Sequence, residues 1–373
     1  MSARKPLHIL GDGCAGLSLA AHADKLSGYD MTVISPTGAP DTKEHIWGFW
    51  HIAGLEMAAK CARHKWTSWS IKTPSGAAVM ESRMHSYHAL QRSRWEGHCR
   101  DRAQESGVKF ATEKDVAADP HAQILDSRPQ ASPSDQMVQH FIGWEVKAMS
   151  GGFDPDTAIL MDFRCDQSRG IHFLYVLPFS KDVALVESTM FAPQREPDSF
   201  FEGAIAQYLS AECGINSFSV THVEHGAIPL GRLPENPNGL TGIGGNGGAI
   251  RPSSGYAFVF IQKQIARAVA KASKLPSDGM PADLPVTTPH KTVDLLMDDV
   301  FLHVLLTRPD LAPSLFLRMG SALSGDEFAL FLSGEASWTL RLKVIMAMPK
   351  WVFVRAALAC LRMFLFNGHS RHK

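Results

Sequence analysis

Apolar residues fall into short runs broken by glycine and proline, and the spacing within each run sets the element it predicts. Residues 7–10, LHIL, read as a strand that stops at the glycine-rich GDGCAG of 11–16; 17–26 are rich in Ala and Leu, and MTVI at 31–34 is again strand-like. Strand, loop, helix and strand in that order make a βαβ unit. A helix-like stretch from Tyr87 to about Ser106 leads into strand-like VKFA and QILDSRP. Between 136 and 225 come five strand-like runs, HFIGWEV, AILMDF, HFLYVLPF, VALVEST and FSVTHV, with a helix-like interruption near 199–210. The last third opens with LTGIGGNGGAIRPSSGYAF and continues as a helix from about 257 to 272. It then crosses a linker carrying Pro276, Pro281, Pro285 and Pro289, and is helical by period from Val293. No internal repeat is present.

At 373 residues the chain has room for two or three lobes. Its 37 basic and 37 acidic residues cancel, which removes the electrostatic case for a nucleic-acid partner. Six cysteines, at 14, 61, 99, 165, 213 and 360, show neither C-x-x-C nor zinc-finger spacing to histidine and read as free thiols. No metal site is predicted: His85 and His88 lack a third ligand at motif spacing, and His222 and His225, three apart on a strand, point to opposite faces. The opening MSARKPLHIL carries no long apolar segment of a secretion signal, so a cytoplasmic location is expected. No window reaches the roughly 18 apolar residues that a spanning helix needs. The nearest is WVFVRAALACLRMFLF at 351–366, where Arg355 and Arg362 fall on one narrow side of an otherwise apolar helix. Such a helix either packs in the core or lies in the plane of a bilayer, and both readings stay open.

Gly11, Gly13 and Gly16 stand in G-x-G-x-x-G spacing between a strand and a helix, with Cys14 and Ala15 inside the loop. That context predicts a dinucleotide pyrophosphate at the loop and the helix start. The carboxylate that usually holds a ribose belongs at the end of the next strand, where this chain has Ser35. A hydroxyl binds ribose more weakly, so Ser35→Asp is expected to tighten the cofactor. A second cluster, Gly244, Gly245 and Gly248, also follows a strand and is followed by Pro252 and Gly255. Two loops far apart in sequence predict one extended ligand, and flavin adenine dinucleotide (FAD) fits better than a nicotinamide dinucleotide, which needs mainly the first loop.

Several segments, in this order, resemble the lycopene cyclase family of flavoproteins: GDGCAG, HIWGFW at 45–50, FIGWEV at 141–146, LMDF at 160–163, FLYVLPFSKDVALVESTMF at 173–191 and GGNGGAIRPSSGYAF at 244–258. They span most of 7–270, and the last two resemble the bacterial lycopene β-cyclases in particular. The resemblance implies an α/β fold of the FAD-dependent hydroxylase and reductase type. Its Rossmann-like lobe would take 1–60, 87–130 and 226–275, its β-rich substrate lobe 61–86 and 131–225, and its helical C-terminal region 290–373. It further implies FAD active in its reduced form with NAD(P)H as reductant, no net redox change, and a lipophilic polyene substrate. The protein would sit peripherally on the inner face of the membrane that supplies the polyene. Flavin contacts at Asp126 and Pro252, a substrate contact at Phe179 and a catalytic role for Glu187 also come from the resemblance. Three departures stand out: Ser35 in place of an acid, Ile46 in place of a commoner threonine, and one acid in VEST where many relatives have two.

Closing a ring on an acyclic polyene requires a proton added to the terminal alkene and another lost after closure. Glu187 shares a strand face with Val183, Leu185 and Thr189; a carboxyl in such apolar surroundings stays protonated at neutral pH and can act as the acid. An edge-strand carboxylate turned to water is the alternative. Glu145 in GWEV and Asp162 in LMDF occupy similar segments and are further candidates. Trp47, Phe49 and Trp50 could turn π-faces to the polyene or its cation, or simply fill a core. Two other functions share the fold, an FAD monooxygenase or polyprenyl reductase, and a membrane-surface scaffold without flavin.

Overall fold

The structure, a computed structural model, describes residues 4–37, 44–115, 119–130, 136–234, 236, 239–274 and 281–370, the side chains of 366–370 excepted. Pro276 of the expected linker lies outside the described residues. The described strands form three sheets. The first is parallel, with Lys5–Leu10 between Tyr29–Ser35 and Gln123–Asp126, and with Lys109–Thr112 and Thr241–Gly242 at its edges. Leu7, Ile9, Val33 and Leu125 are fully buried, because they share the face of the sheet that helices cover, whereas His8 and Thr32 on the other face are half-buried. Those helices are Cys14–Ala20, Arg92–Glu105 and Phe258–Ala272.

The helix expected from Tyr87 begins only at Arg92. Tyr87–Gln91 is instead the middle strand of a three-stranded sheet, between Ile46–Trp50 and His64–Trp66. Residues 87–90 are all buried, so pairing on both sides overrides their local helical pattern.

The third sheet has seven strands in the order Phe218–Pro229, Val138–Ala148, Val183–Ala192, Ile171–Pro178, Thr157–Asp162, Ser68–Thr73 and Gly76–Glu81. Its two-residue alternation sorts side chains between two cores. Val186, Val176 and Ile142 face the helix Asp198–Ala211. Leu185, Phe173 and Phe191 face the other way, toward Leu315, Phe316 and Phe328 of the C-terminal helices. Glu187 shares that second face.

Among the described residues five α-helices follow the linker: Thr292–Thr307, Ala312–Ala322, Gly325–Leu332, Trp338–Ala347 and Lys350–Ser370. Two buried ion pairs tie them down, Arg251 with Asp298 (3.3 Å) and Arg341 bidentate on Asp294 (2.7 and 3.0 Å). Removing one member of such a pair strands a buried charge, at a cost of roughly 3–5 kcal/mol. The last helix docks on one side only: Phe353 stacks on Phe301 and Ala356 is buried, whereas Trp351 is 79% and Phe364 72% exposed. Among the described residues no single helix is long and apolar enough to cross a membrane.

Candidate active site

A cavity of about 570 Å³ lies between the parallel sheet, the Glu187 face and the C-terminal helices. Cys14, Ala15, Gly245 and Asn246, from the two glycine loops, line one part of it. Phe173, Phe191, Phe316 and Glu187 line another.

Close backbone approach explains the loops. A Cβ at Gly16 would come within 2.2 Å of the Gly11 carbonyl, and one at Gly244, whose φ is +68°, within 2.4 Å of Ala15 Cβ. Gly244 thereby lets the second loop close against the first. Gly13 differs, since a Cβ there would have only Arg92 Nη2 at 3.8 Å and Glu96 Oε1 at 3.9 Å nearby. Open backbone at Gly13, a guanidinium beside it and the buried, unpartnered Ser254 hydroxyl on the cavity wall suit a phosphate-bearing, polar-edged cofactor such as FAD. Asp126 does not reach the cavity: Arg128 (2.9 Å) and Asn236 (3.2 Å) occupy its carboxylate, while its carbonyl accepts from Ile243 and Asn246. It shapes the second loop from behind. Gly255 lines the cavity; Gly248 and Pro252 lie in the backbone of the same segment but not on its wall.

At the end of Tyr29–Ser35 the Ser35 hydroxyl donates to Asp12 Oδ2 at 2.8 Å, and Arg100 Nη2 lies 3.3 Å from the same oxygen. A carboxylate therefore stands at the end of this strand after all, carried by the glycine loop.

Glu187 occupies an interior strand. Directly opposite it are Tyr175 on one neighbour and Gly143 on the other, and opposite Gly143 on the next strand is Glu224. These four positions form a row on one face. Glu187 Oε1 accepts from Thr189 Oγ1 at 2.6 Å. Burial, then the charge of Glu224, push the Glu187 carboxyl up to about 8, so it is largely protonated at neutral pH. Above it the Tyr87 hydroxyl meets those of Tyr175 (2.9 Å) and Tyr256 (3.3 Å). Gly48 makes this cluster possible: a Cβ there would fall 2.0 Å from the Tyr87 hydroxyl oxygen.

The model of one protein family, described as lycopene cyclase protein, matches residues 7–358. The chain belongs to the lycopene cyclase family. It is 26% identical to a chloroplastic neoxanthin synthase of Solanum tuberosum over 72% of this chain and 59% of that protein. With a lycopene beta cyclase of Synechococcus elongatus it shares 22% identity over 66% and 67%. The chain thus spans about three fifths of the length of the neoxanthin synthases it matches. Among solved structures, it resembles a geranylgeranyl bacteriochlorophyll reductase-like protein of Thermoplasma acidophilum, with a TM-score of 0.58 at 12% identity over 92% of this chain and 96% of that one. It also resembles a flavin-dependent halogenase of Xanthomonas campestris, with a TM-score of 0.53 at 12% identity over 97% and 96%. These likenesses show the fold, a Rossmann-like α/β unit with a β-rich second sheet.

Within this lycopene cyclase family chain, several expected site residues lie elsewhere. Glu145 is bound bidentate by Arg63 (2.6 and 3.0 Å), which also covers the Phe179 ring, so Glu145 and Phe179 belong to a cluster off the cavity wall. Asp162 is fully buried beneath Arg164 (2.7 Å) and Tyr208 (2.9 Å). Burial alone would raise its carboxyl, but those hydrogen bonds outweigh it and hold the group below the usual range, which leaves an anion rather than an acid. Strand alternation puts Trp47 and Phe49 on one side, both against Phe258, and Trp50 on the other: Trp47 reaches the cavity, Phe49 is sealed between His88 and Phe258, and Trp50 backs Tyr87 and Tyr256 from the core.

Sequence reasoning passed over Tyr87, Tyr175, Tyr256 and Glu224. The signal for Glu224 was the one used for Glu187, an acid set into a strand, but His222 and His225 around it make the segment look polar. The tyrosines come from three distant segments, and only the fold joins them.

Proposed function

We propose that the protein closes the acyclic end group of lycopene or a related polyene, using FAD and without net redox change. The observation that carries this reading is a buried carboxyl, Glu187, set beside Phe173, Phe191 and Phe316 in a cavity that reaches two glycine loops. Glu187 gives its proton to the terminal alkene, the cation closes on the neighbouring double bond, and the Glu187 carboxylate takes back a proton from the ring; atoms balance and no electron is gained or lost. Tyr175, Tyr256 and Trp47 on the cavity wall present electron-rich rings to the cation and keep water from quenching it. Cys14, Ala15, Gly245 and Ser254 are the residues that would hold FAD. Bound in its reduced form, with NAD(P)H as the reductant that generates that form, FAD would supply an electron-rich ring that favours a cation nearby. Anaerobic conversion of lycopene with chemically reduced flavin tests this directly. Ring formation without stoichiometric loss of reductant is expected, and stoichiometric consumption would point to a reductase instead.

Asp12 takes the part of the ribose carboxylate in this reading, and the expectation for Ser35 reverses. Asp12→Ala is expected to weaken FAD by about tenfold or more, the value of one charge-assisted hydrogen bond. Ser35→Asp would set two carboxylates in contact and is expected to weaken FAD too. Flavin titration checks both, and tighter binding by Ser35→Asp would show that the ribose is held elsewhere.

The protein would work on the inner face of a membrane, where the polyene resides. Leu358 and Leu361 lie 54% and 55% exposed on the last helix. Leu358→Glu with Leu361→Glu should abolish flotation with liposomes while the melting temperature holds, because the docked side with Phe353 and Ala356 is untouched. Undiminished flotation would place the membrane contact on another surface.

A further inference from the structure

Glu224 is 1% exposed, deeper than Glu187 at 8%, and the cyclisation outlined above gives it no step. A carboxylate this deep persists only with partners that favour its charge. Glu224 Oε2 accepts the Ile46 N–H at 3.1 Å, and His45 Nδ1 stands 3.3 Å away. Gly143 lies between the two acids, directly opposite each. A Cβ at 143 would come within 2.9 Å of Glu224 Cγ and 3.2 Å of its Oε1, so the Glu224 side chain lies over the middle strand, in the space the glycine leaves.

We propose that Glu224 is a positioning residue: a fixed negative charge, held by His45 and the Ile46 amide, that acts across Gly143 to keep the proton on Glu187. This rests on the reading of Glu187 as the acid. The other groups facing Glu187 cannot substitute for it. Tyr87, Tyr175 and Tyr256 are pushed well above the ordinary tyrosine range, first by burial, and stay neutral; Thr189 is uncharged, His45 and His225 on the same cavity wall carry no negative charge, and the opposing helices present Phe316, Met319 and Phe328. Burial of Glu187 is the larger cause of its raised value and the charge of Glu224 the second, so Glu187 without Glu224 remains above an ordinary glutamate but below about 8. The single acid of VEST thus has its second acid two strands away.

The test is the pH profile of cyclisation by the flavin-loaded enzyme. Glu224→Gln should move the alkaline limb down by roughly one pH unit, the ordinary size of a shift from one nearby charge. Flavin content and the maximal rate at low pH should change far less. Glu224→Asp, which keeps the charge, should restore most of the limb. A limb that stays in place in folded, flavin-loaded Glu224→Gln overturns the proposal. A reading that needs no variant at Glu224 is the infrared band of the protonated carboxyl, assigned by its loss in Glu187→Gln; titration of that band in the usual glutamate range would overturn the proposal as well. Wild-type turnover by Glu187→Gln would instead refute the reading of Glu187, a separate failure.

Discussion

Glu187→Gln is expected to lower cyclisation by roughly 10²–10⁴-fold, the usual contribution of a general acid–base group, with flavin content and melting temperature near wild type. The amide fills the same space and can still accept the Thr189 hydroxyl, so packing is preserved while the transferable proton is lost. Glu187→Asp should keep a little activity, since the acid survives with a shorter reach. In the wild type the protonated form is the donor; activity should therefore be full below about 8 and fall as the pH rises through it. Asp162→Asn serves as the contrast, because it strips partners from Arg164 and Tyr208 and should reduce stability rather than the chemical step. Pigment formation and flavin absorbance on each purified variant decide the matter, and a Glu187→Gln enzyme at wild-type rate with normal flavin would overturn the assignment.

Gly13→Val is expected to give folded protein that retains no FAD, whereas Gly16→Val should give little folded protein at all. The two glycines lie three residues apart, Gly13 just before the helix Cys14–Ala20 and Gly16 in its first turn, and face different neighbours. A side chain at Gly13 meets only the flexible ends of Arg92 and Glu96, so what it fills is the space a pyrophosphate would use. One at Gly16 runs into the Gly11 carbonyl and the Ser127 hydroxyl, and neither can yield without breaking the loop's own hydrogen bonds. Circular dichroism and flavin absorbance on both variants separate the outcomes. Normal flavin in Gly13→Val would mean that the cofactor does not pass over this loop.

The βαβ unit, the five central strands and the C-terminal helices were legible in the sequence because each carries a run of one hydrophobic period between clear breakers. Tyr87–Gln91 was not, since its strand character comes from partners at 46–50 and 64–66 that no local pattern reveals. For the site the division is similar. Glu187 stood out as a lone acid in an apolar strand, and the glycine loops by their spacing. Glu145 and Asp162 matched the same pattern, but Arg63 and Arg164 neutralise them, and the first of these cations lies 82 residues away in the chain. Asp12 was hidden for the opposite reason: the expected carboxylate was sought at one position, and the backbone brings another residue to it.

The row Tyr175, Glu187, Gly143, Glu224 also determines which changes in chain length the fold can absorb. One residue inserted into any of these four strands would turn every side chain beyond it to the opposite face, and in the Glu187 or Glu224 strand it would turn an acid away from the cavity while the hydrogen-bonded ladder reforms almost intact. Such a protein would still have its backbone pairing and would have lost its chemistry. One place is different: the pairing of Val138–Ala148 with Phe218–Pro229 shifts between Glu145 and Val146, where Thr221 is left over. That bulge uncouples the outer end of the strand from the Glu224 end. Insertions and deletions are therefore tolerable at 218–221 and ruinous at 222–229, a boundary drawn by hydrogen-bond register rather than by distance from the site.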